Sequence, residues 1–465
     1  MKKVELVSAA PLFLEESPEE IVCFDKADYQ CRIGALQTRM ARDGIDAVVI
    51  YGDREKFSNL EYLTGYDCRF EEALYVLRAD ERCAILVGNE GASYAELIPY
   101  DIDIILYQNL SLQGQPREKL RPLREILREC GISSGTRLGI IGYKYMEDTL
   151  EGDPADTYDI PAYMLDAMRA TGAVCSNYTA AMTGLPDGVR MTLCSAKEIA
   201  WAEYGACVSA NAVSRMLRAL RVGISELELS ACARPPLVPQ SVHPMVNFGA
   251  YDVGHGLRSP GDKRLAYGEV CGLCYGVRGS LTSKIAVASY DESGYAPDLL
   301  EAGSLERFYM PFWSAIAAWY ETVSVGVPTG QVYEAVMNLI GDASFGVALN
   351  PGHYIGTDEW PNSNFKKACA DTLRSGAHLQ CDIITSSAQP VRTGICEDTI
   401  VLADAALRDE LARQYPAVAA RIQKRRTAMR ETLGIRLSED VLPLSNLNGV
   451  YHPFMLNTGI VMGMR

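Results

Sequence analysis

Cysteine supplies the first residues in this chain whose type and spacing could do chemistry. The chain has 14 Cys, and one pair, Cys271 and Cys274, has the CxxC spacing found in zinc and redox sites. No second CxxC and no nearby His accompanies this pair. The spacing therefore favours two small apolar residues of a buried strand over a metal or redox centre.

Charge and composition exclude several classes of function. The 465 residues carry 44 Lys+Arg and 59 Asp+Glu, so the net charge is 44 − 59 = −15. This balance argues against a nucleic-acid partner, which would need a basic face. No run reaches the roughly eighteen apolar residues of a membrane span. Acidic residues also interrupt the start of the chain, so no signal peptide is predicted and we expect a cytoplasmic protein with reduced thiols.

The first part of the chain alternates helical patterns with short apolar strands. This alternation predicts an α/β layer domain that ends near the turn-rich segment 186–188, so we place it at 1–187. The strand at 47–51 is apolar throughout and predicts a buried parallel strand. The other predicted strands are 73–77, 83–87 and 138–142, and the helices are 31–41 and 117–129.

The second part groups its helices around consecutive strands, which predicts an α+β domain at 188–404. A long helix is expected from Ser195 to about Leu220, and strand-like segments fill 242–288. Two helices (about 305–323 and 329–340) and two strands (378–384 and 399–403) follow. The remaining residues, 405–465, are predicted to form a helical extension whose apolar end packs on the body or on a second subunit.

Several short motifs, in order along the chain, resemble the creatinase, aminopeptidase P and prolidase family. They are N-L-E-Y-L-T-G-Y at 59–66, C-S-A-K-E-I at 194–199, G-H-Y-I-G at 352–356 and G-I-C-E-D-T at 394–399. The resemblance spans about Ile33 to Ala403. It implies a creatinase-like N-terminal domain followed by a catalytic-type domain of the pita-bread fold, and it also implies a homodimer.

The metal site implied by this resemblance is altered here. The family uses five ligands (Asp, Asp, His, Glu and Glu) around two divalent cations, which generate a hydroxide nucleophile. By the same motifs, Cys274 stands at the first Asp position and Lys284 at the second. His353 keeps the ligand type, Asp382 is a shorter carboxylate, and Glu397 is the expected Glu.

The two substitutions remove the charge that would hold the metals. An ammonium about 4 Å from a divalent cation repels it by several kcal/mol at an effective dielectric near 20. Lys284 could instead neutralise Asp382 and Glu397, so we predict no dinuclear metal centre and no cofactor. Two alternatives stay open for Cys274: one zinc ion shared with His353, and a nucleophile activated by Lys284 or His353. A small buried side chain is the favoured interpretation.

Loss of metal does not by itself remove activity, because creatinase hydrolyses a C–N bond without metal, using a histidine and carboxylates. The segment G-H-G-L-R-S-P-G-D-K-R-L at 254–265 resembles the one that supplies that histidine. His255 is therefore the candidate general acid–base residue, since the free pKa of histidine lies near neutrality. His353, Asp382 and Glu397 are the other candidate catalytic residues.

Three further residues are candidates for lining the site. His378 shares the strand face of Asp382 by the period of two. Trp360 follows the G-H-x-I-G motif, where the peptidases of the group carry a His, and it could form an aromatic wall. Arg69 follows the Y-L-T-G motif in a region that, in relatives, reaches towards a partner subunit. There it could meet a substrate carboxylate, although a solvated surface Arg is the safer reading.

Taken together, the sequence favours a metal-independent, creatinase-like hydrolase that cleaves a C–N bond in a small-molecule or short peptide-like substrate. The alternative is an inactive pseudo-peptidase that binds a ligand or a partner. A metal-dependent Xaa-Pro aminopeptidase or dipeptidase is the least favoured, because two metal-binding aspartates are missing.

Overall fold

The chain folds into two compact units. The computed structural model describes residues 3–9, 15–16, 18, 21–80, 82–147, 150–295, 303–347, 349–388 and 391–465. One unit is Cys23–Met191, and the other joins Met1–Val22 to Thr192–Arg465. This division differs from the predicted boundaries 1–187, 188–404 and 405–465. The start of the chain belongs to the second unit because strand β1 (Val4–Ser8) pairs antiparallel with the last strand, Ile460–Met464.

The unit Cys23–Met191 is an α/β layer built on a six-stranded sheet. Its elements are α1 (Lys26–Asp43), β2 (Ala47–Gly52), α2 (Ser58–Thr64), β3 (Ala73–Arg78), β4 (Cys83–Val87), α3 (Gly91–Ala95), β5 (Asp103–Leu106), α4 (Leu123–Glu129), β6 (Arg137–Ile141), α5 (Ala162–Arg169), β7 (Val174–Asn177) and α6 (Ala180–Thr183). The strand order is β5-β4-β3-β2-β6-β7. The predicted strands are all present, but the sheet is mixed, since β2 pairs parallel with β6 and antiparallel with β3.

Local sequence explains where the first helix of this unit begins and ends. Asp25 caps the N-terminus of α1, accepting a hydrogen bond from the Ala27 amide, and Asp28 completes a capping box. Gly44 ends the helix in the left-handed region at φ 70°. Strand β2 is apolar throughout because alternate residues enter two separate cores, Val48 on one face of the sheet and Val49 on the other.

The second unit is built around an eight-stranded antiparallel sheet. Its elements after β1 are α7 (Ala196–Ala219), α8 (Glu226–Ala231), β8 (Met245–Phe248), α9 (Ala250–His255), β9 (Val270–Val277), β10 (Ser280–Val287), α10 (Met310–Thr322), α11 (Thr329–Ile340), β11 (His353–Tyr354), β12 (His378–Cys381), β13 (Ile384–Ala388), β14 (Val391–Leu402), α12 (Ala405–Gln414), α13 (Pro416–Glu431), β15 (Val441–Pro443) and β16 (Ile460–Met464). The main strand order is β11-β12-β14-β10-β9-β8, and β13 and β15 also pair with β14.

Helix α7 forms the centre of this unit and packs against β9 and β10. Ser195 caps its N-terminus by accepting from the Glu198 amide, as the predicted helix start at this residue requires. The side of α7 that carries Ile199 packs with Leu411 of α12 and Ile422 of α13. Residues after 404 are therefore part of the body of this unit.

The apolar end of the chain packs on the same unit. Tyr451 is buried, and its hydroxyl donates to the Ile285 carbonyl oxygen at 2.9 Å. Phe454 is buried as well and forms a parallel bridge with Val287. Among the described residues, no helix has the length and apolar character needed to cross a lipid bilayer.

Candidate active site

Strand register brings the candidate residues of the second unit onto one face of its sheet. Residues directly opposite each other on antiparallel strands project to the same side. Cys274 of β9 is opposite Ser283 of β10, and Ser283 is opposite Glu397 of β14. On the next strands, Gln380 of β12 is opposite His353 of β11. The sheet thus aligns a thiol, a hydroxyl, a carboxylate, an amide and an imidazole.

His353 lies at the centre of this face, surrounded by three carboxylates. Its Nε2 atom is 3.2 Å from Glu359 Oε1, 3.5 Å from Glu397 Oε1 and 3.9 Å from Asp382 Oδ2. Asp382 reaches the site because it follows β12 two residues after Gln380 and so keeps the same direction. We refer to His353, Glu359, Asp382 and Glu397 as the His353 cluster.

Burial makes the protonation of the His353 cluster unusual. His353 is fully buried, and Asp382 and Glu397 are only 4% and 6% exposed. Burial lowers the pKa of His353, but the neighbouring Glu359, Glu397 and Asp382 outweigh it and raise this pKa well above its ordinary value. Burial raises the pKa of Glu397 to about 7 and that of Asp382 well above its usual range. The cluster therefore retains protons at neutral pH.

Trp360 forms one wall of the cluster, in the position expected for it. Its ring stacks on the His353 imidazole with centroids 4.0 Å apart and an interplanar angle of 17°. The other imidazole nitrogen, Nδ1, lies 2.8 Å from the Tyr354 carbonyl oxygen. A proton on Nδ1 can bond to that carbonyl, which leaves Nε2 facing the carboxylates. The ring plane and its orientation are thus set by contacts on two sides.

A buried chain of hydrogen bonds holds Glu397 from behind. The Gln380 amide donates to Glu397 Oε1 at 3.1 Å and to the Leu281 carbonyl at 2.8 Å. The Thr399 hydroxyl donates to Gln380 Oε1 at 2.5 Å, which fixes which end of the amide faces Glu397. The chain continues from Thr399 through Ser280 to Ser209 of α7. This network anchors the carboxylate to the central helix.

Lys284 does not lie in the site, contrary to the prediction. The turn between β9 and β10 is only two residues long, because Val277 is opposite Ser280, and this register places Lys284 opposite Leu273 on the other face. There the Lys284 Nζ atom lies 2.5 Å from Asp398 Oδ2, 3.2 Å from Cys396 Sγ and 3.1 Å from the Leu447 carbonyl oxygen. Ser283, opposite Cys274, faces the site where Lys284 was expected.

His255 is also outside the cluster. It ends helix α9 on the exposed surface, with Nδ1 2.7 Å from the Tyr251 carbonyl oxygen and its ring tilted by 37° against the Tyr251 ring, with centroids 4.3 Å apart. Among the described residues, no hydrogen bond, ion pair or ring contact joins it to the His353 cluster. The motif resemblance located this histidine, but the helix end turns its ring back onto its own first turn.

The remaining predicted residues, Cys274, His378 and Arg69, are not members of the His353 cluster. Cys274 is buried beside Ser283, and burial, reinforced by the charge of Glu397, raises its pKa well above the ordinary value. His378 is buried next to Trp201 with ring centroids 6.5 Å apart, and burial lowers its pKa to about 3. Arg69 belongs to the unit Cys23–Met191, with its guanidinium carbon 5.2 Å from the centre of the Phe57 ring.

Sequence reasoning missed three residues of this site: Glu359, Ser283 and Gln380. Glu359 could have been found as the carboxylate six residues after His353, next to the aromatic Trp360. To predict that Ser283 faces the site, one must know the length of the β9–β10 turn, because that length decides the face of every residue in β10. Gln380 shares the strand face of Asp382 by the period of two, but its bond to Glu397 depends on the pairing of β12 with β14.

The donor set does not fit the metal pair that the family resemblance implies. At the two aspartate positions the structure has a thiol whose pKa burial raises and a serine hydroxyl, and neither supplies a carboxylate. Among the described residues of this site, only His353, Glu359 and Glu397 bring ligand atoms within 4.8 Å of one another. Cys274 is not part of that group, so the arrangement does not support a zinc ion shared by Cys274 and His353.

Comparison with known proteins agrees with this architecture. Residues 32–147 match the family model of the creatinase/prolidase N-terminal domain. Solved structures with a similar fold include the Xaa-Pro dipeptidase from Bacillus anthracis (14% identity, 81% of this chain and 96% of that chain, TM-score 0.60) and a prolidase from Thermococcus sibiricus (16%, 81% and 95%, 0.63). Dipeptidase PepE from Mycobacterium ulcerans is similar too (18%, 82% and 94%, 0.60). No curated protein matches the chain by sequence.

The fold is therefore of the pita-bread class, with an α/β domain before it in the chain, as predicted. The N-terminal part is a creatinase/prolidase N-terminal domain, and the predicted resemblance to the creatinase, aminopeptidase P and prolidase family is confirmed.

Proposed function

We propose that this protein is a metal-independent hydrolase that cleaves a C–N bond in a small polar substrate. The observation that carries the proposal is the His353 cluster itself: one imidazole and three carboxylates, in a site whose two aspartate positions hold Cys274 and Ser283. Such a cluster lacks the charge for two cations but has the groups for proton transfer. The similar structures are named as prolidases and Xaa-Pro peptidases, which is consistent with C–N hydrolysis.

The cluster contains both the base and the acid that the reaction needs. Hydrolysis transfers one proton from water to a base as oxygen attacks carbon, and it delivers one proton to the departing nitrogen. Glu397, with a pKa of about 7, accepts the first proton, and the His353 imidazolium donates the second from Nε2. The 3.5 Å between Nε2 and Glu397 Oε1 then allows the proton to return to His353, which restores the starting state.

Charge and burial favour a small substrate that carries a cationic group, such as an amine, amidine or guanidine. Three carboxylates surround the single imidazole, and the ammonium of Lys284 is held by Asp398 on the opposite face. Only Glu359 within the cluster is appreciably exposed, at 24% of its side chain, so a substrate would enter beside it and meet the Trp360 ring. A cation there would pair with Glu359, the most exposed carboxylate of the cluster.

Turnover assays of purified protein test this proposal. Metal content is measured first, and amidines, guanidines, ureas, cyclic amides and Xaa-Pro dipeptides are then screened with a chelator and with added Mn²⁺ or Co²⁺. We expect turnover that survives chelation and falls at least about a hundredfold in His353→Ala and in Glu397→Gln. His255→Ala is the matched control and should retain activity. Stoichiometric metal, or Xaa-Pro cleavage only with metal, would refute metal independence.

A ligand-binding protein without turnover is the second candidate, and the burial of the cluster supports it. His353 is fully buried, and the exposed His255, which the family motif suggested as the proton carrier, lies elsewhere. The same screen separates the two functions. Saturable binding of a compound that is never hydrolysed, weakened by Glu397→Gln, would favour the binding protein. The homodimer implied by resemblance stays a prediction, which sedimentation equilibrium would test.

A further inference from the structure

The unit Cys23–Met191 contains a cavity that the proposed hydrolysis does not use. Its volume is about 540 Å³. Three aromatic residues and three carboxylates line it, together with one arginine: Tyr66, Phe70, Tyr94, Asp67, Glu71, Glu90 and Arg69. We call it the Glu71 cavity. If all these groups are ionised, its lining carries three negative charges against one positive charge.

Glu71 is the unusual member of this cavity. Only 3% of its surface is exposed, and its Oε2 atom accepts hydrogen bonds from the amides of Glu90 at 3.0 Å and Gly91 at 2.8 Å. These two bonds give one carboxylate oxygen a structural role. The other oxygen, Oε1, is buried without any hydrogen-bond partner, which a purely structural carboxylate would not leave unsatisfied.

The backbone leaves room for this arrangement at two glycines. A Cβ atom on Gly88 would lie 2.6 Å from Glu71 Oε2, and one on Gly91 would lie 2.5 Å from the Tyr66 hydroxyl. Any larger residue at either position would displace the carboxylate or the phenol. The chain thus brings a buried carboxyl group close to an aromatic side chain.

The aromatic rings complete a surface that suits a cation. The Tyr66 and Tyr94 rings have centroids 4.9 Å apart and are inclined at 47°, so together they form a corner of the cavity. Phe70 is 60% exposed and stands at the open side. Aromatic faces attract cations through the negative charge of the π-system, and nearby carboxylates add to this attraction.

We propose that the Glu71 cavity binds a small organic cation with an alkylammonium group. The ammonium is attracted by Glu71, Glu90 and Asp67, and its alkyl part packs in the corner between Tyr66 and Tyr94. An inorganic metal ion has no alkyl part to pack between the rings, whereas an alkylammonium uses both the charge and the apolar ring surfaces.

Ligand-observed NMR titration of the full chain with 1-butylammonium, and with neutral 1-butanol as its isostere, tests this proposal. We expect saturable binding of the cation only. Tyr94→Ala should weaken it about two- to fivefold, and Glu71→Gln about tenfold. Tyr163→Ala is the matched control, because Tyr163 is 46% exposed in the same unit, close to the 40% of Tyr94. Tyr94→Ala alters a partly exposed side chain, so it remains informative if Glu71→Gln folds poorly.

The His353 cluster is a second attraction for cations, so the test includes Glu397→Gln. Binding that survives Glu397→Gln and weakens in Tyr94→Ala supports the Glu71 cavity. Binding that disappears in Glu397→Gln and is unchanged in Tyr94→Ala and Glu71→Gln belongs to the His353 cluster, and it would overturn the proposal. Equal binding of 1-butanol would overturn it as well. So would sedimentation that shows a dimer of the wild type and a monomer of Tyr94→Ala, because a second copy of the chain would then cover the cavity.

Discussion

Replacing Lys284 should destabilise the fold rather than impair the chemistry of the site. The Lys284 ammonium lies 2.5 Å from Asp398 Oδ2, and both side chains are almost completely buried, at 5% and 0% exposure. Asp398 raises the pKa of Lys284 despite burial, so the lysine is charged. Lys284→Met removes this charge and leaves Asp398 in the core beside Cys396 with no cationic partner.

The size of the effect follows from the cost of an uncompensated buried charge. Removing one member of a buried ion pair typically costs about 3–5 kcal/mol. Asp398 can reduce that cost by taking a proton, but each unit by which its pKa rises costs about 1.4 kcal/mol. Burial already raises this pKa to about 7 with the lysine in place. We therefore expect Lys284→Met to lower the unfolding free energy by about 3–5 kcal/mol once Asp398 is ionised in the variant, near pH 9, and by less at pH 7.

The pH dependence of this loss has a definite sign. An acid whose folded pKa is raised above its unfolded value binds more protons when folded, so stability falls as the pH rises towards the folded pKa. In the wild type this fall ends near the Asp398 pKa of about 7. In Lys284→Met the Asp398 pKa is higher, so the unfolding free energy of the variant keeps falling above pH 7. The difference in unfolding free energy between the variant and the wild type therefore widens from about pH 7 to about pH 9.

Urea unfolding followed by tryptophan fluorescence measures this effect in the correct unit. All four Trp residues, at 201, 313, 319 and 360, lie in the unit Thr192–Arg465, so their signal reports that unit alone. Lys263→Met is the matched control, because Lys263 pairs with Asp252 at 3.2 Å while 36% exposed. Removing such a pair typically costs about 0–1 kcal/mol.

A double variant completes the test. Lys284→Met/Asp398→Asn removes both charges and keeps an oxygen acceptor at position 398, so it should recover most of the stability lost in the single variant. A loss below about 1 kcal/mol in Lys284→Met, or a double variant no more stable than the single one, would refute the buried pair. A Lys284→Met protein that is stable but loses substrate turnover would place the lysine in the site after all.

Three further predictions concern other buried groups. Iodoacetamide should alkylate the exposed Cys194 in the native protein and leave the buried Cys274 unmodified, as peptide mass spectrometry would show, because burial raises the Cys274 pKa; early modification of Cys274 would contradict this. Burial lowers the pKa of His378 to about 3, so its imidazole stays neutral in the folded protein, and the unfolding free energy of the wild type falls by up to about 1.4 kcal/mol per pH unit below about pH 6.5. The unfolding free energy of His378→Leu should depend less on pH in this acid range. An unchanged dependence on pH would argue against a buried neutral imidazole. Gln380→Leu leaves Glu397 without its amide donor and should cost about 1–3 kcal/mol in urea unfolding, whereas an unchanged midpoint would mean that the bond contributes nothing.

Local patterns predicted most of the elements correctly. The helix stop at Gly44 and the helix start at Ser195 were visible because capping depends on residues adjacent in the chain. The helix predicted at 117–129 is shorter, Leu123–Glu129, because Pro122 precedes its first turn. The strands at 47–51 and 73–77 were both predicted, but their antiparallel pairing was not, since an apolar strand has the same pattern in parallel and mixed sheets.

The sequence by itself determined the fold class and three members of the His353 cluster: His353 and Glu397, which stand in matching motifs, and Asp382, a shorter carboxylate at the place of a motif Glu. Motif residues of this kind are close in the chain to the turn or strand that positions them. Only the tertiary structure decided that Ser283 rather than Lys284 faces them, because a two-residue turn sets the register and a shift of one residue reverses the face of every side chain in β10. The structure also brought Glu359 to the His353 ring and left the His255 ring against Tyr251, since a motif gives the position of a residue in the chain but not the direction of its side chain.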